Sequence, residues 1–181
     1  MTIIQAIVLG AVQGATEFLP ISSTAHLVLL PWFMGWPDPG LSFDVALHLG
    51  TLVALLIYFR REWMALALPA LNLLRGRTAD PNARLALFII LATIPGAVAG
   101  ALFESAVEDV LRSPLVIATT LIALALVLVV AELRGARRKG LEELSAADAM
   151  SVGFAQALAL IPGVSRSGVT ITAGLFRGMK R

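Results

Sequence analysis

Residues 13–27 read QGATEFLPISSTAHL and place a carboxylate, several hydroxyls and an imidazole inside an otherwise apolar part of the chain. No Asp, Glu, Lys or Arg precedes Glu17, and the next such residue is Asp38. Burying an ionisable side chain in hydrocarbon is costly, so one at this position indicates a functional site rather than a packing role. Pro20 interrupts the helical pattern between Glu17 and the serines. The stretch therefore predicts a helix that breaks at Pro20 and presents polar residues at the break.

The composition around this stretch is that of an integral membrane protein. Hydrophobic residues make up 58% of the chain and charged residues 14%, against about 25% charged in soluble proteins. The small net charge of +2 gives no reason to expect a nucleic-acid partner. Because the chain has no Cys, thiolate chemistry and Cys-ligated metals are excluded. No Lys or Arg precedes Arg60, so we expect the first helix to be retained rather than cleaved as a signal peptide.

The hydrophobic pattern predicts one all-α, polytopic membrane domain over residues 1–181. Spans are predicted at about residues 41–59, 85–103 and 113–131, of which the last two contain no charged residue. The segment after Pro20 is too short to cross a hydrocarbon core of about 30 Å. We therefore predict a re-entrant hairpin at about residues 10–36, with its tip near residues 19–24.

The charges of the connecting loops alternate. The loops after residues 59 and 131 are rich in Arg and Lys, whereas the loop after residue 103 is mainly acidic. By the positive-inside rule, the first and third of these loops are cytoplasmic and the second lies outside. The first hairpin should then enter the membrane from the outer face, and a segment beginning near Asp148 should enter from the cytoplasm.

That last segment, about residues 148–177, repeats the first in outline. Gln13 precedes Pro20 and a pair of serines, and Gln156 similarly precedes Pro162 and Ser165. Copies that enter from opposite faces would form an inverted repeat with discontinuous helices. The alternative is that both are kinked helices whose serines bond to the preceding turn.

After each proline, hydroxyl residues stand where a new helix begins. Helix N-termini present unpaired N–H groups and a partial positive charge, so two that converge would form an anion site. Arg166 adds a permanent charge and a planar fork suited to phosphate oxygens. The pattern therefore favours a phosphorylated ligand, bound by Ser22, Ser23 and Thr24 in the first copy and by Ser165, Arg166 and Ser167 in the second.

The two ionisable residues in the stretch 13–27, Glu17 and His26, each have a candidate role in a site. Glu17 could bind a divalent cation together with Gln13 and ligand oxygens, or serve as the counter-ion of Arg166. His26 is four residues after Ser22 and three after Ser23, so on a helix it could reach either hydroxyl as a general base. In the third segment, Asp44 and His48 are one turn apart, and we interpret them as a structural pair.

Taken together, QGATEFLPISSTAH at residues 13–26 and PGVSRSGVT at residues 162–170 resemble the bacterial undecaprenyl-diphosphate phosphatases, the bacitracin-resistance family. The resemblance covers the whole chain, including FDVALHLGT at residues 43–51. It implies removal of the terminal phosphate of undecaprenyl diphosphate, which recycles the lipid carrier for peptidoglycan synthesis and confers bacitracin resistance. It also implies a divalent cation, Mg²⁺ or Ca²⁺, and a multi-pass protein of the bacterial plasma (inner) membrane with a site open to the periplasmic face.

The resemblance also assigns roles to single residues. The catalytic positions of the family match Glu17, Ser23, His26 and Arg166, and the substrate-binding positions match Ser22, Ser165, Ser167 and Thr170. Thr24, at the start of the helix after Pro20, is a further predicted substrate-binding residue. The implied mechanism is attack of Ser23 on the terminal phosphorus with His26 as base, while Glu17 and Gln13 hold the metal. A phosphohistidine at His26, or a water activated by His26, stays open. Because broken helices in inverted repeats also occur in transporters, the alternative function is a prenyl-phosphate flippase.

The family continues past the second motif with further hydrophobic helices, whereas this sequence ends at Arg181. On the resemblance we expect either a fragment of a longer open reading frame or a version of the fold that is truncated at its C-terminus. The expected partners are the lipid substrate and membrane lipids, and helices rich in small residues are compatible with a homodimer.

Overall fold

A computed structural model describes residues 1–73, 80–110 and 113–180 of the chain. Within these residues the fold is all-α, with eight helices and a single isolated β-bridge. The helices are α1 (Ile3–Thr16), α2 (Ser23–Met34), α3 (Leu41–Tyr58), α4 (Arg60–Leu73), α5 (Pro81–Val110), α6 (Pro114–Arg134), α7 (Ala146–Ala157) and α8 (Arg166–Phe176). The predicted membrane orientation depends partly on charged residues whose side chains the structure does not describe: Arg75, Arg77, Glu104, Glu108, Asp109 and Arg112.

Three helices are long and apolar enough to cross a membrane: α3, α5 and α6. They overlap the three predicted spans, although α5 is longer than its predicted span and runs through Pro95. Almost none of their residues are buried inside the protein. Apolar side chains that face outward along whole helices require a lipid environment, so this is a membrane protein.

The helix α4 corrects the sequence interpretation, which assigned the residues after Phe59 to a loop. The chain instead starts a new helix at Arg60, immediately after α3, and α4 packs against α5. The charges of Arg60, Arg61 and Glu62 end the apolar pattern, but the Met, Ala and Leu residues that follow strongly favour a helix.

The first hairpin consists of α1 and α2, which pack against each other. Thr2 caps α1 in a capping box with Gln5. The chain then turns around Pro20, and Ser22 caps α2 by accepting a hydrogen bond from the Ala25 backbone N–H. The first hairpin thereby carries Glu17 at the end of one helix and Ser23 at the start of the next.

The second hairpin, α7 and α8, repeats the first one cap by cap. Ser145 and Asp148 form the capping box of α7, and Ser165 caps α8 by accepting from the Gly168 backbone N–H. Four pairs of corresponding residues are separated by the same interval in the sequence: Thr2 and Ser145, Gln5 and Asp148, Gln13 and Gln156, and Ser22 and Ser165. Ser23 and Arg166 are therefore equivalent positions, each the first residue of its helix.

The helix α6 contacts both hairpins, since α2 and α8 each pack against it. Ala25 and Val28 of α2 form a buried cluster with Ile117 of α6. About one turn further along α6, the Thr120 hydroxyl donates to the backbone oxygen of Pro162 at 2.7 Å. These contacts hold the two hairpin turns at the same helix.

The second hairpin also lies closely against α5. A Cβ built on Gly153 would stand 2.6 Å from the Ala92 carbonyl oxygen, so the α7 backbone touches α5 directly. Ala92, Gly96 and Gly100 repeat every fourth residue along α5 and form the small-residue stripe that permits this approach. The position of Arg166 is therefore fixed by both α5 and α6.

Candidate active site

The turns of the two hairpins meet. The Ser167 hydroxyl donates to the backbone oxygen of Leu19 at 3.2 Å, across 148 residues of sequence. A small cavity of about 30 Å³ lies between the turns. Its lining contains Thr16, Glu17, Ser22, Ser23 and Thr24 from the first hairpin, Ala159, Val164, Ser165, Arg166 and Ser167 from the second, and His48 from α3. The structure thus brings together most of the predicted site residues.

Ser23 and Glu17 form a short hydrogen bond. The Ser23 hydroxyl donates to Glu17 Oε2 at 2.5 Å, and Gln13 Nε2 donates to the same oxygen at 3.0 Å. The turn at Pro20 makes this contact, because it folds the first residue of α2 back over the end of α1. A carboxylate that accepts from a serine hydroxyl polarises it, which is the arrangement of an activated nucleophile.

Arg166 faces this pair from the second hairpin. It lines the cavity, and its guanidinium has no hydrogen-bond or ion-pair partner among the described residues. Within the described residues Glu17 and Arg166 form no direct ion pair, and Glu17 Oε2 is held by Gln13 and Ser23. An unpaired cation beside two helix N-termini is suited to an anionic ligand.

The predicted phosphate-binding serines divide into two groups. The hydroxyls of Ser22 and Ser165 cap α2 and α8, and both residues are buried. Ser22 also has a φ of 64°, a left-handed conformation that residues other than Gly rarely adopt. These two serines line the cavity but use their hydroxyls as helix caps, whereas Ser23 and Thr24, which also line it, follow the cap of α2.

Thr170 lies outside the cavity lining. Its hydroxyl donates to the backbone oxygens of Arg166 and Ser167 at 2.9 and 3.2 Å. A threonine inside a helix commonly bonds to the preceding turn in this way. The structure therefore ties the Thr170 hydroxyl to its own helix rather than directing it to the site.

His26 also differs from its expected place. Its Nδ1 lies 2.8 Å from the backbone oxygen of Ser22, the N-cap residue of the same helix. Side chains of a helix lean toward its N-terminus, so the ring reaches this carbonyl. In the described structure His26 contacts neither serine hydroxyl and does not line the cavity.

The imidazole beside Ser23 is that of His48, which sequence reasoning interpreted as structural. His48 Nε2 lies 3.5 Å from both Ser23 Oγ and Glu17 Oε2, and its Nδ1 donates to the backbone oxygen of Asp44 at 2.7 Å. One turn further, Thr51 accepts a hydrogen bond from Gln13 at 3.4 Å. The signal in the sequence was a row of polar residues on one face of a span: Asp44, His48 and Thr51.

Residues 6–181 match the family model described as bacitracin resistance protein BacA. The chain belongs to this family.

Several curated members of the family are about half identical to the chain. An undecaprenyl-diphosphatase of Moorella thermoacetica is 55% identical over 181 residues, which is 100% of this chain and 68% of the relative. An undecaprenyl-diphosphatase of Gemmatimonas aurantiaca is 54% identical over 175 residues, covering 96% of this chain and 66% of the relative. A third, from Pelobacter propionicus, is 48% identical over 183 residues, covering 100% and 67%. The chain thus spans about two thirds of the length of these relatives.

The donors present fit a divalent cation only if the ligand completes its coordination. Gln13 Oε1 is buried without a hydrogen-bond partner, one helical turn before the Glu17 carboxylate. The described residues contain no group of three or more His, Cys, Asp or Glu that could hold a metal by themselves. One carboxylate and one amide oxygen suit Mg²⁺, which keeps several waters and takes phosphate oxygens as ligands.

A larger cavity of about 660 Å³ adjoins this BacA-family site. It shares four lining residues with the small cavity: Glu17, Thr24, His48 and Arg166. The remaining lining is mainly apolar and comes from α3, α5 and the second hairpin, for example Leu49, Leu52 and Leu160. One polar end and a long apolar remainder match an amphiphilic lipid.

Proposed function

We propose that this chain hydrolyses undecaprenyl diphosphate to undecaprenyl phosphate and phosphate, as the names of its relatives state for them. This activity recycles the lipid carrier of peptidoglycan synthesis and underlies bacitracin resistance. The observation that carries the proposal is the hydrogen bond from Ser23 to Glu17, opposite the unpaired guanidinium of Arg166. A nucleophile, an acceptor for its proton and a site for phosphate oxygens therefore meet in one cavity.

Each residue then has a role in the reaction. Arg166 and the N-termini of α2 and α8 bind the diphosphate oxygens and stabilise the charge that develops on them. Ser23 Oγ attacks the terminal phosphorus while its proton passes to Glu17 Oε2, the nearest acceptor at 2.5 Å. Undecaprenyl phosphate leaves, and water then hydrolyses the phosphoserine.

A divalent cation, Mg²⁺ or Ca²⁺, belongs to this proposal. Glu17 and the Gln13 amide oxygen would hold it together with the diphosphate, and when bound it would neutralise charge on the phosphate oxygens. Phosphate release should therefore stop in the presence of a chelator and return when Mg²⁺ is added.

We also propose a location and an orientation. The apolar larger cavity is suited to the prenyl chain. The alternating loop charges support a site that opens toward the periplasmic face of the bacterial plasma membrane. Self-association into a homodimer stays a prediction that light scattering of the detergent-purified protein would check.

The decisive experiment measures phosphate release from undecaprenyl diphosphate in detergent with Mg²⁺. Ser23→Ala and Arg166→Ala should each reduce turnover by at least about 10²-fold, since they remove the nucleophile and the charge clamp. Thr119→Ala is the matched control, because that hydroxyl donates to its own helix on an exposed face of α6. Near-normal release by Ser23→Ala would contradict the proposal. Because detergent leaves no compartments, a flippase would release no phosphate in any of these samples.

A further inference from the structure

His48 is a polar residue on a helix that otherwise faces outward. Asp44 is the only residue of α3 that is buried. A histidine in the middle of an apolar span is costly unless it has a partner or a function. The side chain of His48 is 27% exposed and lines both the small and the larger cavity. This unfavourable polar side chain therefore lies at the candidate active site.

The orientation of the ring is fixed from α3. The backbone oxygen of Asp44 can only accept, so Nδ1 of His48 is the donor in their 2.7 Å hydrogen bond. This bond directs Nε2 away from α3 and toward the first hairpin. There Nε2 is 3.5 Å from Ser23 Oγ and 3.5 Å from Glu17 Oε2, while those two oxygens are 2.5 Å apart.

We propose that His48 is a positioning residue for the phosphatase reaction. It acts through Ser23: because Nδ1 is the donor to Asp44, Nε2 of the neutral ring is an acceptor, and from α3 it offers the Ser23 hydroxyl a second acceptor beside Glu17 that keeps Oγ aimed into the cavity. Gln13 of α1 donates to Glu17 Oε2, so the Ser23 hydroxyl lies between two acceptors, one supported from α1 and one carried by α3. The inference rests on the proposed function, and it assigns to His48 a place at Ser23 that the family resemblance gave to His26.

The chemistry required at position 48 is a polar atom at the end of a side chain of histidine length. Glutamine can supply one, with an amide in place of Nε2, whereas alanine and leucine cannot. The chain contains only two histidines. Because His26 bonds to the backbone of its own helix, substitutions at these two positions separate the contributions of both imidazoles.

The test compares phosphate release by the wild type, His48→Ala, His48→Leu and His48→Gln over a range of substrate concentrations, with Mg²⁺ throughout. A misplacement of about 1 Å at a reacting group can cost about 10²-fold in rate, so kcat should fall by about that factor in the Ala and Leu variants. KM should change by less than about threefold, because Arg166 and the helix N-termini still bind the diphosphate. Gln should restore kcat to within about tenfold of the wild type. If His48→Ala impairs folding, His48→Leu provides the same comparison, because leucine is favourable in an apolar span.

A second readout separates this inference from the proposed function. A fluorophosphonate probe labels an activated serine without turnover of the lipid, and mass spectrometry locates the adduct. Slower labelling of Ser23 in His48→Ala and His48→Leu, restored in His48→Gln, supports the positioning role even if the chain releases no phosphate. Equal labelling rates in all variants, no labelling of Ser23 in the wild type, or a wild-type kcat in His48→Leu would overturn it. A Gln variant as slow as Leu would overturn it as well, since it would point to proton transfer instead.

Discussion

At the scale of single residues, the site depends on how one carboxylate oxygen and one guanidinium are surrounded. Glu17 Oε2 accepts from Gln13 and Ser23, whereas Arg166 has no partner among the described residues. The carboxylate is thus committed to Ser23, and the guanidinium is left for the ligand. This difference explains how opposite charges can line one small cavity without pairing.

Arg166→Lys tests whether the fork of the guanidinium matters beyond its charge. Lysine keeps the charge but offers a point donor in place of two parallel N–H groups. We expect kcat/KM for phosphate release to fall by at least about tenfold, since bidentate contacts to phosphate are lost. Steady-state kinetics would check this, and Arg166→Ala would give the lower limit of kcat/KM for comparison. Kinetics equal to those of the wild type would show that the geometry of the fork is irrelevant.

Where a residue type alone restricts the chemistry, the sequence was enough to single out residues that the structure brings into one cavity, and their roles stay predictions. Glu17, Ser23 and Arg166 are polar groups in apolar or turn segments, and the cavity contains all three. His26 was expected to contact a serine hydroxyl because its helical spacing brings it near Ser22 and Ser23. The same spacing also brings the ring to the backbone oxygen of Ser22, which is the contact in the structure. His48 was missed because its contact with Ser23 depends on how α3 packs against the first hairpin.

At the scale of elements, each hairpin turn depends on a residue with an unusual backbone. Gly163 has a φ of +90°, and a Cβ there would stand 2.1 Å from Thr120 Oγ1 and 2.5 Å from the Ile117 carbonyl oxygen. Three residues further on stands Arg166. The close approach of this turn to α6 therefore determines where the guanidinium lies.

Gly163→Ala should displace this turn. The left-handed backbone alone costs an alanine about 1–2 kcal/mol, and the clash with Thr120 adds to it. We expect a lower melting temperature and a higher KM, measured by thermal unfolding in detergent and by phosphate release. Gly50→Ala is the matched control, because a Cβ at Gly50 on α3 meets nothing within 4 Å. A Gly163→Ala protein with wild-type melting temperature and KM would contradict the role of this turn.

The elements themselves were predictable to different degrees. The breaks at Pro20 and Pro162 and the caps Ser22 and Ser165 follow from local rules for proline and for helix N-termini. The helix α4 was not predicted, because its Arg-rich start resembles a loop and its pairing with α5 is a tertiary contact.

At the scale of the whole molecule, one buried carboxylate joins three segments. Asp148 at the first turn of α7 accepts from Lys139 of the segment after α6, at 3.2 Å, and from Arg177 at the end of α8, at 2.6 Å. A backbone bridge between Lys139 and Met179 runs beside these contacts. Both ends of the second hairpin are thereby fastened to the end of α6. The sequence alone showed the charges of these residues but not that three distant segments share one carboxylate.

This junction makes stability depend on pH. Burial raises the pKa of Asp148, but the hydrogen bonds from Ser145, Arg177 and Lys139 outweigh it and hold the pKa well below its usual range. A carboxyl with a lowered folded-state pKa stabilises the protein fully above its unfolded pKa of about 4 and loses that contribution as the pH falls. Asp148→Asn should therefore lower stability at pH 7 by about 1–3 kcal/mol, a range that allows for the partly exposed cations.

The measurement is thermal unfolding in detergent between pH 7 and pH 3. The difference between the wild type and Asp148→Asn should be constant down to about pH 4 and shrink below it, because the unfolded state then binds a proton at Asp148 that the folded state does not bind. Glu62→Gln is the control, since Glu62 is an exposed carboxylate of α4 whose removal should change the melting temperature little at any pH. A difference that stays constant down to pH 3 would mean that folding does not lower the pKa of Asp148. A difference absent at pH 7 would mean that the junction adds nothing to stability and that contacts with α5 and α6 alone hold the second hairpin.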